Sequence, residues 1–132
     1  MRKEILRDAA VLRQVSAPAN DLTVQRVVAD LIDTASAIKN SCAGLAAIQI
    51  GYPVRVFILK DKNRFVPYIN PQVKEFRGGT VFSKEGCLSF PDKKRVVKRH
   101  KEVVLATGAV LKGFISIVFQ HEYDHLEGRC LF

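Results

Sequence analysis

A five-residue motif near the end of the chain constrains the fold and the chemistry more than any other stretch. His121-Glu122-Tyr123-Asp124-His125 is an H-E-x-x-H sequence in a segment of helical character. Histidines four positions apart on a helix have Cβ atoms about 5–6 Å apart, so both imidazoles can reach one cation. Glu122 can then act as a general base on a water bound to that cation. Catalytic metal ions usually have three protein ligands, so the motif predicts a metal site that needs one more.

A long helix is predicted near the N-terminus. Apolar residues recur at steps of three and four from Val24 to Ile38, which is the helical period. Asp21 or Thr23 is a suitable N-cap, and the pattern ends near Asn40.

Two further segments complete the helical prediction. Residues 1–20 lack a period and predict an irregular arm with a short turn around positions 11–13. A second helix is predicted over 114–126, where the histidines continue an otherwise apolar stripe and Gly128 provides a C-terminal stop.

The region between the two helices predicts β-structure. Runs rich in β-formers occupy 54–59, 65–69, 72–77, 80–83, 95–98 and 102–106. Gly78-Gly79 predicts a tight hairpin, and Pro67 and Pro71 favour edge or strand-start positions. We therefore expect an α+β fold in one domain spanning residues 1–132. Small antiparallel sheets would pack around a central buried helix carrying H-E-x-x-H, with a long N-terminal helix beside them.

Composition narrows the function classes. The chain has 132 residues, a formal net charge of +8 and a pI of about 9.7. No apolar run approaches the roughly 18 residues of a membrane span, no signal peptide is recognisable, and three cysteines form an odd set. These features favour a reducing cytoplasm, with the cytoplasm of an organelle or of a phage-infected host left open. The basic runs at 93–95 and 98–101 lack interleaved aromatics, which indicates a solvated surface rather than a base-stacking platform.

The third metal ligand has to come from upstream of the motif. Glu127 follows the second histidine too closely to bind the same cation, and Leu131 stands where one peptidase pattern has a histidine. The candidates are Cys42, Cys87, His100 and the carboxylates. Cys87 has the best context because Gly86 lets the backbone pass close to a metal or substrate. The alternative for Cys87 is an ordinary buried cysteine.

Three separated segments together resemble the peptide deformylase family. Residues 44–49, 85–89 and 120–128 are similar to the family patterns G-L-A-A-x-Q, E-G-C-L-S and Q-H-E-x-D-H-L-x-G, in the same order. Residues 69–71 match a further family segment, and the resemblance extends from Ile5 to Phe132. It implies hydrolysis of the N-formyl group from the initiator formyl-methionine of nascent polypeptides, with release of formate.

The resemblance also implies roles for individual residues. The metal ligands would be Cys87, His121 and His125, with Fe²⁺ expected and Zn²⁺, Ni²⁺ or Co²⁺ as further occupants. Glu122 would move the proton from the attacking water to the leaving amine. The Gln49 amide and the Leu88 backbone N–H would stabilise the oxyanion. Substrate-binding residues would be Ala43, Gly44, Leu45, Glu85, Gly86, Ile117 and Val118. Phe114 could join this pocket or belong to the core.

The sequence departs from the family pattern in three places. Cys42 replaces a glycine, which places a second thiol near the cleft, and Ile48 stands where proline is common. The chain also ends at Phe132, which suggests a compact, C-terminally short member.

Two other function classes remain open at this point. H-E-x-x-H alone is compatible with a metallopeptidase. A non-enzymatic protein stabilised by metal and binding RNA or the ribosome would show a closed four-ligand site, with Cys42 or His100 as the fourth ligand. For the deformylase we expect formyl-methionine peptides as partners and transient ribosome association, without membrane or specific DNA binding.

Overall fold

The fold is α+β and contains two three-stranded antiparallel sheets. The computed structural model describes the backbone of residues 1–132 and every side chain except that of Lys39. The first sheet has the order β1-β2-β3, with β1 at Gly44–Ala46, β2 at Val56–Asp61 and β3 at Arg64–Ile69. The second has the order β4-β5-β6, with β4 at Val73–Cys87, β5 at Phe90–Leu105 and β6 at Val110–Lys112. Strands β1 and β4 are therefore sheet edges.

Three α-helices accompany the sheets: α1 at Ala9–Leu12, α2 at Asp21–Ser36 and α3 at Phe114–Leu126. The prediction for α3 was correct in its bounds. Helix α2 begins one residue after Asn20, whose side-chain oxygen accepts from the N–H groups of Leu22 and Thr23. Neither predicted cap is therefore the N-cap, and the α-helix ends before the predicted limit near Asn40. In the described chain, no helix is long and apolar enough to cross a membrane.

The N-terminal arm is more ordered than the sequence predicted. Asp8 caps the single turn of α1, and its side chain accepts from the Ala10 N–H. Leu12 on this turn is fully buried. A turn this short shows no helical period in the sequence, and its cap and the burial of Leu12 hold it in place.

The Gly78-Gly79 pair forms a bulge inside β4, and the predicted hairpin there was wrong. The pairing shifts from Arg77 opposite Glu102 to Thr80 opposite His100, so β4 holds one extra residue. Both glycines have positive φ, of 81° and 77°, which lets the strand bend without reversing. The chain reverses ten residues later, at the two-residue turn 88–89 between paired Cys87 and Phe90.

Two apolar clusters cover opposite faces of β2. Val56 and Ile58 pack with α2, whereas Phe57 and Leu59 pack with α3 and β5. This alternation follows the two-residue period of a strand, and all four side chains are fully buried. Phe119 of α3 meets the Phe57 ring edge-on, with ring centroids 5.2 Å apart. Helix α3 thereby contacts β1 and β2 of one sheet and β5 and β6 of the other.

Candidate active site

The fold brings Cys87, His121 and His125 into one cluster. Cys87 is the last residue of β4, and the two histidines lie on one face of α3. One potential ligand atom from each residue lies within 4.8 Å of the other two, and Cys87 Sγ is 3.6 Å from His125 Nε2. One thiolate and two imidazole nitrogens suit a divalent transition metal and leave a coordination position open.

A buried ion-pair network orients His121. Its Nδ1 lies 3.0 Å from Glu85 Oε1, and Arg99 holds the same carboxylate through two hydrogen bonds of 2.9 and 2.8 Å. Arg99 also donates to Asp124 Oδ2 at 2.6 Å. With Nδ1 held by the carboxylate, Nε2 is the nitrogen left for a cation.

Opposing influences act on the Glu85 carboxyl. Burial alone would raise its pKa, but hydrogen bonds from Arg99 and His121 outweigh burial and lower the pKa to about 2. Glu85 is therefore ionised near neutral pH. Glu85 borders the cleft as predicted, but its carboxylate is occupied by these partners.

Sequence reasoning missed Arg99. It lies within a basic run, and Arg99 is buried whereas Lys98 is exposed. The exposed fraction of the Arg99 side chain is only 6%. Its partners, Glu85 and Asp124, lie on other elements, so only the pairing of β4 with β5 and the docking of α3 reveal the network.

Glu122 faces the site as a buried, incompletely bonded carboxylate. The residue is 3% exposed, and among the described atoms Oε1 has no hydrogen-bond partner. Burial raises the pKa of Glu122 to about 7. Smaller effects come from His121, which lowers this pKa, and from Glu85, which raises it. A general acid–base group works best with a pKa near the working pH. An unpaired carboxylate oxygen beside a Cys-His-His cluster fits a site built to take a cation and a water.

The lack of a side chain at Gly44 leaves room for Glu122, which approaches this residue closely. A Cβ atom at this position would lie 2.9 Å from Glu122 Oε2 and 3.1 Å from the Ile58 carbonyl oxygen. Any larger residue would displace the carboxylate or the strand backbone. Glycine at this position of the edge strand β1 therefore leaves the space that the Glu122 carboxylate occupies.

Gln49 points its amide nitrogen into the cluster. Its Oε1 accepts from the Ala46 N–H at 3.0 Å, which fixes the orientation of the amide. Its Nε2 lies 3.2 Å from Ser89 Oγ and 3.5 Å from Cys87 Sγ. The residue is 2% exposed and lies on a 3₁₀ turn directly after β1.

A cleft of about 480 Å³ opens beside these groups, at the edge strands β1 and β4. Nearly all of the predicted substrate and catalytic residues border it: Ala43, Gly44, Gln49, Glu85, Gly86, Leu88, Ile117, Val118 and Glu122. Phe114 also borders it and is 72% exposed, which excludes its alternative placement in the core. The sequence reading missed Ser41, Ser83, Lys84, Pro91 and Lys94, which carry no motif signal.

Leu45 does not border the cleft. Its side chain is fully buried in the core beside α2, because it follows Gly44 on β1 and points to the opposite face. Leu45 can therefore offer a peptide only its backbone.

Cys42 and His100 lie outside the metal cluster. The Cys42 thiol is buried and donates to the Gly44 carbonyl oxygen at 3.4 Å. Burial, with the nearby Glu122 charge, raises the pKa of this thiol to about 12, so Cys42 is a neutral thiol near neutral pH. Its φ of −118° is accessible to any residue, which explains how the family glycine could be replaced. His100 stacks on Phe76, with ring centroids 5.1 Å apart.

Comparison with known proteins agrees with this geometry. The family model for polypeptide deformylase matches residues 2–132. The chain is a member of the polypeptide deformylase family. A peptide deformylase from Nautilia profundicola is 35% identical over 137 residues, covering 90% of this chain and 77% of the relative.

Two solved structures are similar across almost the whole chain. Peptide deformylase from Thermotoga maritima has a TM-score of 0.84 and 30% identity, covering 99% of this chain and 95% of its own. A PDF from the Vibrio parahaemolyticus bacteriophage VP16T, solved in complex with actinonin, has a TM-score of 0.85 and 31% identity. Here the coverage is 97% of this chain and 99% of that one.

Membership establishes the reaction class. The protein is a metal-dependent hydrolase that removes the N-formyl group from nascent polypeptides. The deformylase prediction is therefore confirmed and is favoured over the metallopeptidase and the metal-stabilised RNA binder.

Removing one partner of the buried Arg99–Glu85 pair should destabilise the fold much more than breaking a similar pair on the surface. We expect Arg99→Leu to lower the free energy of unfolding by about 3–5 kcal/mol, because the buried Glu85 carboxylate would lose its cationic partner and keep only its contact with His121. Arg77→Leu is the matched control, since Arg77 pairs with Glu102 across the same two strands but is 45% exposed. For Arg77→Leu we expect the free energy of unfolding to fall by only about 0–1 kcal/mol. Denaturant titration measures both, and equal losses would contradict the assignment.

The Arg99–Glu85 pair should make the free energy of unfolding depend on pH. The pKa of Glu85 is lowered from 4.5 to about 2 in the folded protein, so its stabilising contribution is complete above pH 4.5. That contribution is lost as the pH falls toward 2. We therefore expect the stability difference between wild type and Arg99→Leu to be largest above pH 4.5 and to narrow below it.

Proposed function

We propose that Cys87, His121 and His125 hold one divalent cation, with Fe²⁺ as the expected ion and Zn²⁺, Ni²⁺ or Co²⁺ as further occupants. The donor types and their mutual distances support this set. The hydrogen-bonding of His121 Nδ1 to Glu85 supports Nε2 as its ligand atom. When bound, such an ion lowers the pKa of water and polarises a carbonyl oxygen.

Glu122 is the acid–base group in this proposal. Its unpartnered oxygen accepts a proton from the water that attacks the formyl carbon. As the C–N bond of the formamide breaks, Glu122 gives that proton to the leaving amine nitrogen. Formate and a peptide with a free amino terminus result. Gly44 leaves the carboxylate room in this position, because it has no side chain that would crowd Glu122.

Two N–H donors stabilise the oxyanion of the tetrahedral intermediate. One is the Gln49 amide, which Ala46 orients and which borders the cleft beside Cys87. The other is the Leu88 backbone N–H, in the turn that follows Cys87. Removing one such donor typically costs about 2.7–4 kcal/mol of transition-state stabilisation.

The edge strands bind the substrate backbone. A peptide inserted at the cleft can pair with positions 43–45 at the start of β1 and with positions 85–86 of β4, as an added strand does. Ile117 and Val118 offer an apolar wall for the methionine side chain, together with the exposed ring of Phe114. Helix α3 is the central helix in this proposal, since it carries both histidines and this wall.

Residues 1–132 act as one catalytic domain, and the enzyme works in the cytoplasm.

Replacing Glu122 should abolish turnover and leave the cation in place. We expect Glu122→Gln to reduce kcat for formate release from a formyl-Met peptide by about 10²–10⁴-fold, since proton transfer is lost while shape is kept. Metal content per chain should not change, because Glu122 is not a ligand. A variant with near wild-type kcat would disprove the assigned role.

Replacing Cys87 should instead remove the cation. We expect Cys87→Ser to lose most of the bound metal, measured by elemental analysis of protein purified without oxygen. Cys130→Ser is the matched control, because Cys130 is a free thiol like Cys87, half-buried where Cys87 is buried, and lies outside the cluster. Metal retained in Cys87→Ser, or lost equally in both variants, would refute this ligand set. Loss of wild-type activity in air would indicate iron, because ferrous iron and thiolates oxidise.

We also propose that the basic surface supports transient association with the ribosome. The formal charge of +8 is the observation that motivates this idea. Co-sedimentation with ribosomes should then fall steeply between about 50 and 200 mM salt, as expected when several phosphate contacts are screened. Association that is absent at low salt would contradict the proposal.

A further inference from the structure

Two lysines stand at the rim of the substrate cleft. Lys84 on β4 and Lys94 on β5 both border the cleft and are both exposed. Lys94 pairs with Gly86 across the strands, and Lys84 lies two residues before Gly86, so both project from the same face of the sheet. The Lys94 ammonium lies 3.3 Å from where a Cβ atom on Gly86 would be. Positive charge therefore lies directly beside the strand edge that is open to a peptide.

These charges are not neutralised within the described part of the molecule. Among the ion pairs that the structure describes, none involves Lys84 or Lys94. The nearest carboxylate along β4, Glu85, points to the opposite face and is held by Arg99. Glu122 is buried inside the site. The rim consequently has a net positive charge, whereas the interior combines apolar and reactive groups.

We propose that Lys84 and Lys94 give this enzyme a preference for nascent chains with acidic side chains directly after the formyl-methionine. The proposal rests on the proposed binding mode: the formyl group and the methionine side chain occupy the interior, so the following residues pass the rim. A solvent-exposed charge pair typically changes affinity about 1.5- to 5-fold. Two lysines together would favour an acidic residue about 3- to 10-fold over its neutral analogue.

The test compares peptides that differ in charge but not in shape. We expect kcat/KM for formate release to be about 3- to 10-fold higher for formyl-Met-Asp-Ala than for formyl-Met-Asn-Ala at low salt, with formyl-Met-Lys-Ala below both. The ratio of the Asp to the Asn peptide should approach one near 1 M salt, where the Debye length is about 3 Å. A ratio of one at low salt, or a ratio that salt does not change, would overturn the proposal.

Substitutions then identify the residues responsible. In Lys84→Gln/Lys94→Gln the Asp-to-Asn ratio should fall toward one, and in Lys84→Glu/Lys94→Glu the Lys peptide should become preferred over the Asp peptide. Lys74→Gln/Lys101→Gln removes the same net charge at exposed positions that do not border the cleft, and should keep the wild-type ratio. An unchanged ratio in the first variant would refute the assignment to the rim. An equal fall in the control would attribute the preference to overall charge and refute it as well.

A wrong active site and an inactive rim would give different experimental results. If no formyl-Met peptide releases formate, the proposed active site is wrong regardless of charge. If all three peptides are deformylated at equal rates, the active site stands and the rim has no role in selection. Each variant serves as its own reference, because the readout is a ratio between peptides. If the double variants do not fold, the single variants Lys84→Gln and Lys94→Gln are compared with Lys74→Gln in the same ratio, and an equal ratio in all three would refute the assignment to the rim.

Discussion

The buried pair of Arg99 and Glu85 is the interaction on which the active site depends. Arg99 lies on β5 and Glu85 on β4, and their two hydrogen bonds join the strands at the cleft. The same guanidinium binds Asp124, and the same carboxylate contacts His121, so both strands are tied to α3. Two residues after Glu85, Cys87 provides the third member of the Cys-His-His cluster. Loss of the pair would release His121 and the end of β4 together.

The orientation of His121 explains why the Arg99–Glu85–Asp124 network is present, although desolvation of its charges is unfavourable. Moving an arginine and two carboxylates out of water is unfavourable, and an apolar replacement could make the fold more stable. An apolar cluster, however, could not hold an imidazole with a defined nitrogen toward a cation. The ionised Glu85 does so by accepting from Nδ1. We infer that the network is retained for the geometry of the site more than for the stability of the fold.

The accuracy of the sequence predictions depended on how local each feature is. Helix α3 was predicted with correct bounds because a helical period is written in consecutive turns. The Gly78-Gly79 hairpin was wrong because two glycines permit either a turn or a bulge, and only the partner strand decides between them. The Cys87 candidate came from its chemical type and the neighbouring Gly86, and the family segments supported it. Arg99 could not be found, since its burial results from elements that are distant in sequence.

The two sheets leave open the edges that a soluble protein usually protects. Unpaired N–H and C=O groups on an edge strand invite pairing with other chains. Here the exposed edges β1 and β4 both border the cleft, so the segment that pairs there can be a substrate. Lys84 on β4 fits this arrangement, because charged side chains on an edge strand discourage aggregation while still admitting a single extended peptide. Selection of substrate and protection from self-association could therefore share this residue.

The site also shows how one residue type performs two tasks. Glu85 and Glu122 are both buried glutamates close to His121, yet the pKa of the first is lowered to about 2 and that of the second raised to about 7. The difference lies in their partners, since Arg99 holds Glu85 while Oε1 of Glu122 has none among the described atoms. A permanently ionised group is suited to orienting a ligand, and a group that titrates near neutrality is suited to moving a proton. The placement of a single arginine therefore separates the structural carboxylate from the reactive one.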